Sequence, residues 1–187
     1  MKKRAYLIIF LFLSILLCGC QQITVKQIIN SQNFITVKRG SDVLNFDLKS
    51  KRIFDSTGFA YKDGYMYMKG NVHEEKKWKN TKEYSELKNE SLLYDVISSN
   101  DTLMKIRKHN YILIKNGNYS MDGVNVHRIK IYYNHRGLPT RLYSYSFQSK
   151  AWKYRRSYSY PYHSQRKYNK DLDNCIKEIM SGNLDDD

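Results

Sequence analysis

Apolar and polar positions alternate with period two over much of this chain. Val43, Asn45 and Asp47 alternate with Leu44, Phe46 and Leu48, the pattern of a half-buried strand, and Phe34–Val37 reads as a second short strand. Phe59-Ala60-Tyr61-Lys62, Asp63-Gly64 and Tyr65-Met66-Tyr67-Met68 form the strongest hairpin signal, because Asp-Gly supplies the positive φ angles of a two-residue type I′ turn. That register sets Lys62 opposite Tyr65 and Tyr61 opposite Met66. Phe59, Tyr61, Met66 and Met68 then share the expected core face, with Ala60, Lys62, Tyr65 and Tyr67 on the other. Thr81–Ile97 is expected to be a helix, although its Leu92-Leu93 and Val96-Ile97 pairs would also suit a strand. Ser98-Ser99-Asn100-Asp101 breaks the chain, and Leu103–Lys108 fits no single period. Tyr111–Lys115 reads as a strand ended by an Asn116-Gly117 turn.

The C-terminal third carries the longest alternating runs. Val124–Asn134, a turn at His135-Arg136-Gly137 and Thr140–Phe147 predict a long hairpin. Through Trp152–Tyr160, strict alternation sends Trp152, Tyr154, Arg156, Tyr158 and Tyr160 one way, as sheet core, and Lys153, Arg155, Ser157 and Ser159 the other. The period then becomes helical. Leu172, Cys175, Ile176, Ile179 and Met180 line one face, Asn169 is the expected cap, Asp171 and Asp173 suit the first turn, and Gly182 stops the helix. The predicted architecture is α+β: a mostly antiparallel sheet with two helices, one at the C terminus.

Length and composition narrow the class. One domain fits 187 residues. A hydrophobic content of 41% with 17 Tyr excludes a disordered chain, and no repeat suggests a solenoid or propeller.

Motifs for chemistry are missing. His73-Glu74 begins a zinc-protease pattern, but Lys77 stands where the second His belongs. His127 and His135 lie eight residues apart; in an extended strand that is about 26 Å, too far to share one metal ion. His109 and His163 have no neighbours of ligand type in sequence. Cys175 sits on an apolar helix stripe, where a buried thiol is the commoner occupant than a nucleophile. No nucleophile elbow, phosphate loop or calcium loop occurs. The chain thus offers no catalytic residue, metal site or cofactor site by motif.

Charge changes the picture. Without Lys2, Lys3 and Arg4 there remain 29 basic and 18 acidic residues, a net of +11. Gly123–Lys170 holds eleven Lys/Arg, nine Tyr and no acid, so this block carries the entire excess. Solvated faces usually mix both signs. Arg128, Lys130, Arg136, Arg141, Lys150, Lys153, Arg155, Arg156, Arg166 and Lys167 are therefore expected to form a cationic surface for an anionic partner. Arg156, on the expected aromatic face, requires a cation–π stack or a buried partner.

The N terminus supplies an address. Lys2-Lys3-Arg4, a thirteen-residue core from Ala5 to Leu17 and small residues after it describe a secretory signal. The core is too short to span about 30 Å of hydrocarbon. Leu17-Cys18-Gly19-Cys20 resembles the lipobox of bacterial lipoproteins, Cys18 departing from the commonest Ala or Ser. The resemblance covers the signal alone. It implies cleavage before Cys20, a lipid on its thiol, acylation of the new amino terminus, and a mature domain of residues 20–187. In lipoproteins of double-membrane bacteria an Asp after that cysteine commonly signals inner-membrane retention, so Gln21 points to the outer membrane there. With Cys18 removed and Cys20 lipidated, Cys175 has no partner for an intramolecular disulfide. No long Gly/Ser-rich tether precedes Ile23, so the domain is expected close to its membrane.

Together these features predict a lipid-anchored, non-enzymatic envelope lipoprotein that binds an anionic partner through residues 123–170: anionic lipid headgroups, an acidic glycan or an acidic protein. The alternative is an envelope hydrolase with a site assembled from distant residues. Nucleic-acid contact in DNA uptake or conjugation ranks third, because basic residues interleaved with Tyr also suit single strands.

Overall fold

Short alternating segments joined by tight turns satisfy their backbone most directly by pairing with their chain neighbours. Ten strands do so in the computed structural model, which describes residues 23–70, 76–79, 83–103, 112–121 and 123–181. The first meander comprises β1 (Phe34–Arg39), β2 (Asp42–Asp47), β3 (Arg52–Asp55), β4 (Phe59–Lys62), β5 (Tyr65–Met68) and β6 (Lys77–Lys79). The second comprises β7 (Ile112–Met121), β8 (Val124–Tyr133), β9 (Pro139–Ser146) and β10 (Ala151–Ser159). Antiparallel pairing of β1 with β10 joins them into one sheet of order β6-β5-β4-β3-β2-β1-β10-β9-β8-β7. Four helices accompany it among the described residues: α1 (Val25–Asn30), α2 (Glu83–Leu92), α3 (Tyr94–Ile97) and α4 (Gln165–Ser181). The protein is α+β with an antiparallel sheet and a C-terminal helix, as its patterning predicts. None of the described helices is long and apolar enough to cross a membrane.

Alternation along the strands builds two cores, one on each face. Ile35 and Val37 of β1, Phe46 of β2, Ile53 of β3 and Tyr61 of β4 meet Val25 and Ile29 of α1, Leu92 of α2 and Ile97 of α3. Ile129, Ile131 and Tyr133 of β8, Leu142 of β9 and Tyr158 of β10 extend this core across the second meander. On the reverse face Phe34, Phe54 and Ala60 pack against Tyr168, Leu172 and Ile179 of α4, which lies on β3, β4 and β5. Full burial of each such aliphatic or aromatic side chain stabilises the fold by about 1.5–3 kcal/mol.

The Asp63-Gly64 hairpin has the predicted register, Lys62 opposite Tyr65 and Tyr61 opposite Met66, with φ positive at both turn residues. Both its faces are covered, however: Tyr61 and Met66 enter the first core and Ala60 the second, while Met68 is exposed. Residues 83–97 are helical as expected, but Leu93 adopts a left-handed conformation that separates α2 from α3. Sequence analysis left Val25–Asn30 unassigned. It is a helix because Thr24 and Gln27 close a capping box and Val25 and Ile29, one turn apart, are fully buried.

Three expectations need correction. The Asn116-Gly117 pair is no turn; β7 runs through it with a one-residue register shift against β8, and the chain reverses after Met121. The C-terminal helix begins at Gln165 rather than after Asn169: the Ser164 hydroxyl accepts from Lys167 N–H at 3.3 Å, while the Asn169 carbonyl takes bonds from Arg52 and Gln165. The strict alternation of Trp152–Tyr160 is broken. Tyr154 pairs with Tyr143 and Arg156 with Leu142, leaving Arg155 as a bulge. Trp152 and Tyr154 consequently face away from the core that Arg156 and Tyr158 enter. Residues Cys20, His73, Glu74, His109 and Gly182 lie outside the described residues.

A basic aromatic face on the open half of the sheet

α4 covers the reverse face of the first meander, and β7–β10 continue that face beyond it. Its residues follow from register. Trp152 lies opposite Tyr145 and Tyr154 opposite Tyr143; Tyr143 lies opposite Lys130 and Arg141 opposite Tyr132; Lys130 lies opposite Ile114 and Arg128 opposite Asn116. Side chains on the other parity of β8 and β9 (Ile129, Ile131, Leu142, Ser144) are buried. One hairpin therefore sends its aliphatics inward and its Arg, Lys and Tyr outward.

The outward rings form an edge-to-face ladder. Centroids are 5.5 Å apart for Tyr132–Tyr143, 5.7 Å for Tyr143–Tyr154, 5.3 Å for Tyr145–Trp152 and 5.2 Å for Tyr145–Phe147. The cations sit among them. Lys130 Nζ is 4.4 Å from the Trp152 centroid, 5.5 Å from Tyr143 and 5.6 Å from Tyr132. The Arg128 guanidinium carbon is 5.6 Å from Trp152 and 5.7 Å from Tyr145. Each contact contributes about 0.5–1 kcal/mol at a partly exposed position, and together they hold both charges in place. Arg128 Nε is shielded from solvent with no hydrogen-bond partner. Among the described residues no carboxylate pairs with Arg128, Lys130 or Arg141, and none can come from β7–β10, which contain no Asp or Glu. Tyr154 is 48% exposed, Ile114 52% and Phe147 63%.

Of the ten cations expected to share a surface, the sheet gathers Arg128, Lys130 and Arg141 on this face. Lys153 pairs with Ser144, and Arg155 Nε donates to Ser144 Oγ at 2.7 Å, so both ride on the core side of β10. Arg156 is buried, and its guanidinium donates to the carbonyls of Glu90 and Ser91 at the C-terminal end of α2. These carbonyls are the buried partners that its position demanded, left over at a helix end where the dipole favours a cation. Arg136 and Lys150 occupy turns at opposite ends of β9, about 25 Å of strand apart. Arg166 and Lys167 are exposed in the first turn of α4, Lys167 Nζ lying 5.8 Å from the Tyr162 ring.

Sequence reasoning missed the aromatic half of this face by assigning Trp152 and Tyr154 to the core and leaving Tyr132, Tyr143 and Tyr145 unplaced. A usable signal was present in β8 and β9, where Arg128, Lys130 and Tyr132, and likewise Arg141, Tyr143 and Tyr145, occupy one parity. Only β10 misled, through its bulge.

A cleft of about 620 Å³ lies between α4 and the β3–β4 region, lined in part by Asp55, Asp171, Cys175, Glu178 and Lys69. The Asp55 carboxylate is engaged by its own turn, accepting from Thr57 N, Thr57 Oγ1 and Phe59 N. Burial pushes the Cys175 thiol up to about 11, helped by Asp55 and Glu178, so at neutral pH it is a protonated donor to the Asp55 and Phe59 carbonyls. His127 binds Asn118 across the β7–β8 hairpin, and no cluster of three His, Cys, Asp or Glu that could hold a metal occurs among the described residues. Cys175 is thus no activated nucleophile.

Comparison with protein families, with curated proteins and with solved structures gives no match, so the reading of this face rests on its own geometry.

Proposed function

We propose that this protein is a lipid-anchored envelope lipoprotein and a non-enzymatic binding module that captures an anionic partner on the open face of β7–β10. The carrying observation is that face itself: Arg128, Lys130 and Arg141 stand among six aromatic rings with no carboxylate on any of the four strands. Cations prepositioned by rings lose little freedom on binding, and a neighbourhood without acids leaves their field uncancelled. The lipid anchor rests on the lipobox-like Leu17-Cys18-Gly19-Cys20, with Gln21 favouring an outer membrane where the cell has two.

Two measurements test this reading. Binding to envelope extracts should weaken steeply as salt rises to physiological strength, where the Debye length falls to about 8 Å; binding indifferent to salt overturns the electrostatic site. Metabolic fatty-acid labelling should be lost in Cys20→Ser and retained in Cys175→Ser. Label retained by Cys20→Ser refutes the anchor.

A further inference from the structure

Resting on the anionic-partner reading above, we infer that the open face docks an acidic protein surface, turned away from the membrane that holds the anchor. Three observations select this partner among anionic candidates. The first is the state of the rings. A glycan platform needs free aromatic faces, but here ring edges meet ring faces along Tyr132–Tyr143–Tyr154, and Lys130 and Arg128 both lie against Trp152. Those contacts occupy part of the π-surface on which a sugar would stack.

The second is composition. Protein interfaces are enriched in Tyr, Trp, Phe and Arg at their centres, with acids depleted. This face has that set, and it adds Ile114 and Phe147 as exposed apolar anchors of little use to a phosphate or uronate. Its complement is a protein surface whose Asp and Glu reach Arg128, Lys130 and Arg141 and whose apolar side chains cover Ile114 and Phe147.

The third is direction. α1 packs in the core on the other side of the sheet, and the close approach of Gly137 to Ile28 and Leu103 places it over the β8–β9 turn. Cys20 precedes Ile23, whose carbonyl accepts from Leu103 N–H beside α1, by three residues, a reach of at most about 11 Å. The helix layer, the sheet and its side chains are about 15 Å deep, more than that reach. A lipid on Cys20 therefore holds the membrane on the α1 side, and the aromatic face looks the other way.

The test is photo-crosslinking of the full-length, membrane-anchored protein, with a photoreactive phenylalanine analogue at position 154 or 147 and a control at exposed position 49. Support requires an adduct from 154 or 147 to a protein that mass spectrometry identifies as net acidic, reduced about tenfold by Lys130→Glu or Arg141→Glu and absent from 49. Arg141 is exposed, so Arg141→Glu keeps the test intact should Lys130→Glu unfold. A protein adduct indifferent to both charge reversals overturns the inference. So does capture of lipid or glycan alone, with polygalacturonate or phosphatidylglycerol vesicles bound in a salt-sensitive way; that outcome leaves the anionic-partner reading standing. Absence of any adduct together with absence of salt-sensitive binding overturns both.

Discussion

Arg156 shows how one buried cation ties together distant parts of the chain. At 1% exposure it carries its charge into the first core and offers its guanidinium fork to two carbonyls that α2 cannot satisfy internally. Removing it leaves those carbonyls orphaned and a cavity beside them. Arg156→Ala should cost about 3 kcal/mol, read as a lower urea midpoint. Arg156→Lys should recover only part of that loss, since a point charge cannot serve both carbonyls as a fork does. Equal stability of Arg156→Ala and the parent would refute the capping role. Sequence pattern identified Arg156 as anomalous and stated what it needed, but α2 lies 65 residues away, at Ser91, and no local period reports a contact of that span.

Elements here are defined by turns and bulges as much as by strands. Arg155 is the extra residue that lets β10 show Trp152 and Tyr154 outward while Arg156 and Tyr158 point inward. Because side chains alternate with period two, deleting one residue reverses everything on one side of the deletion. Deletion of Arg155 should force either Trp152 and Tyr154 towards the core or Arg156 and Tyr158 out of it. The expected outcome is a much lower melting temperature, loss of near-ultraviolet circular dichroism from the ring ladder and loss of anionic binding. A deletion variant with unchanged spectrum and melting would show that the bulge is incidental. Such a bulge leaves little trace in sequence, since Tyr154-Arg155-Arg156 could stand in any regular strand. The Asp63-Gly64 turn, by contrast, was legible because its chemistry is local.

At the scale of the whole molecule, several phenols are buried among the described residues. Desolvation raises Tyr84, Tyr133, Tyr160 and Tyr168 above the ordinary tyrosine range, with Asp47 adding to the effect at Tyr84 and Tyr168. Tyr133 donates to the Ile97 carbonyl, and Tyr168 to those of Asn45 and Arg52, so both must stay protonated to hold helix and sheet together. A raised folded-state value means the native protein keeps protons that the unfolded chain releases. These groups contribute their full stability below about pH 10 and lose it above, each by about 1.4 kcal/mol per pH unit. Alkaline titration should therefore show a cooperative step in phenolate absorbance above pH 10, coincident with loss of circular dichroism. Ionisation of every tyrosine with the fold intact would contradict this.

The pattern of residues alone determined the α+β class, the Asp63-Gly64 hairpin, the β8–β9 hairpin, helix within 83–97 and over 170–181, and the carboxylate-free block. Each depends on contacts or counts within a few residues of chain. Tertiary structure decided what those elements face. Pairing of β1 with β10 fused two meanders into one sheet, and α4 returned to cover only the first, so the aromatic and basic residues of the second were left together in the open. That juxtaposition depends on where a helix comes to rest rather than on any spacing along the strands, because a strand with two covered faces and a strand with one can share the same alternation.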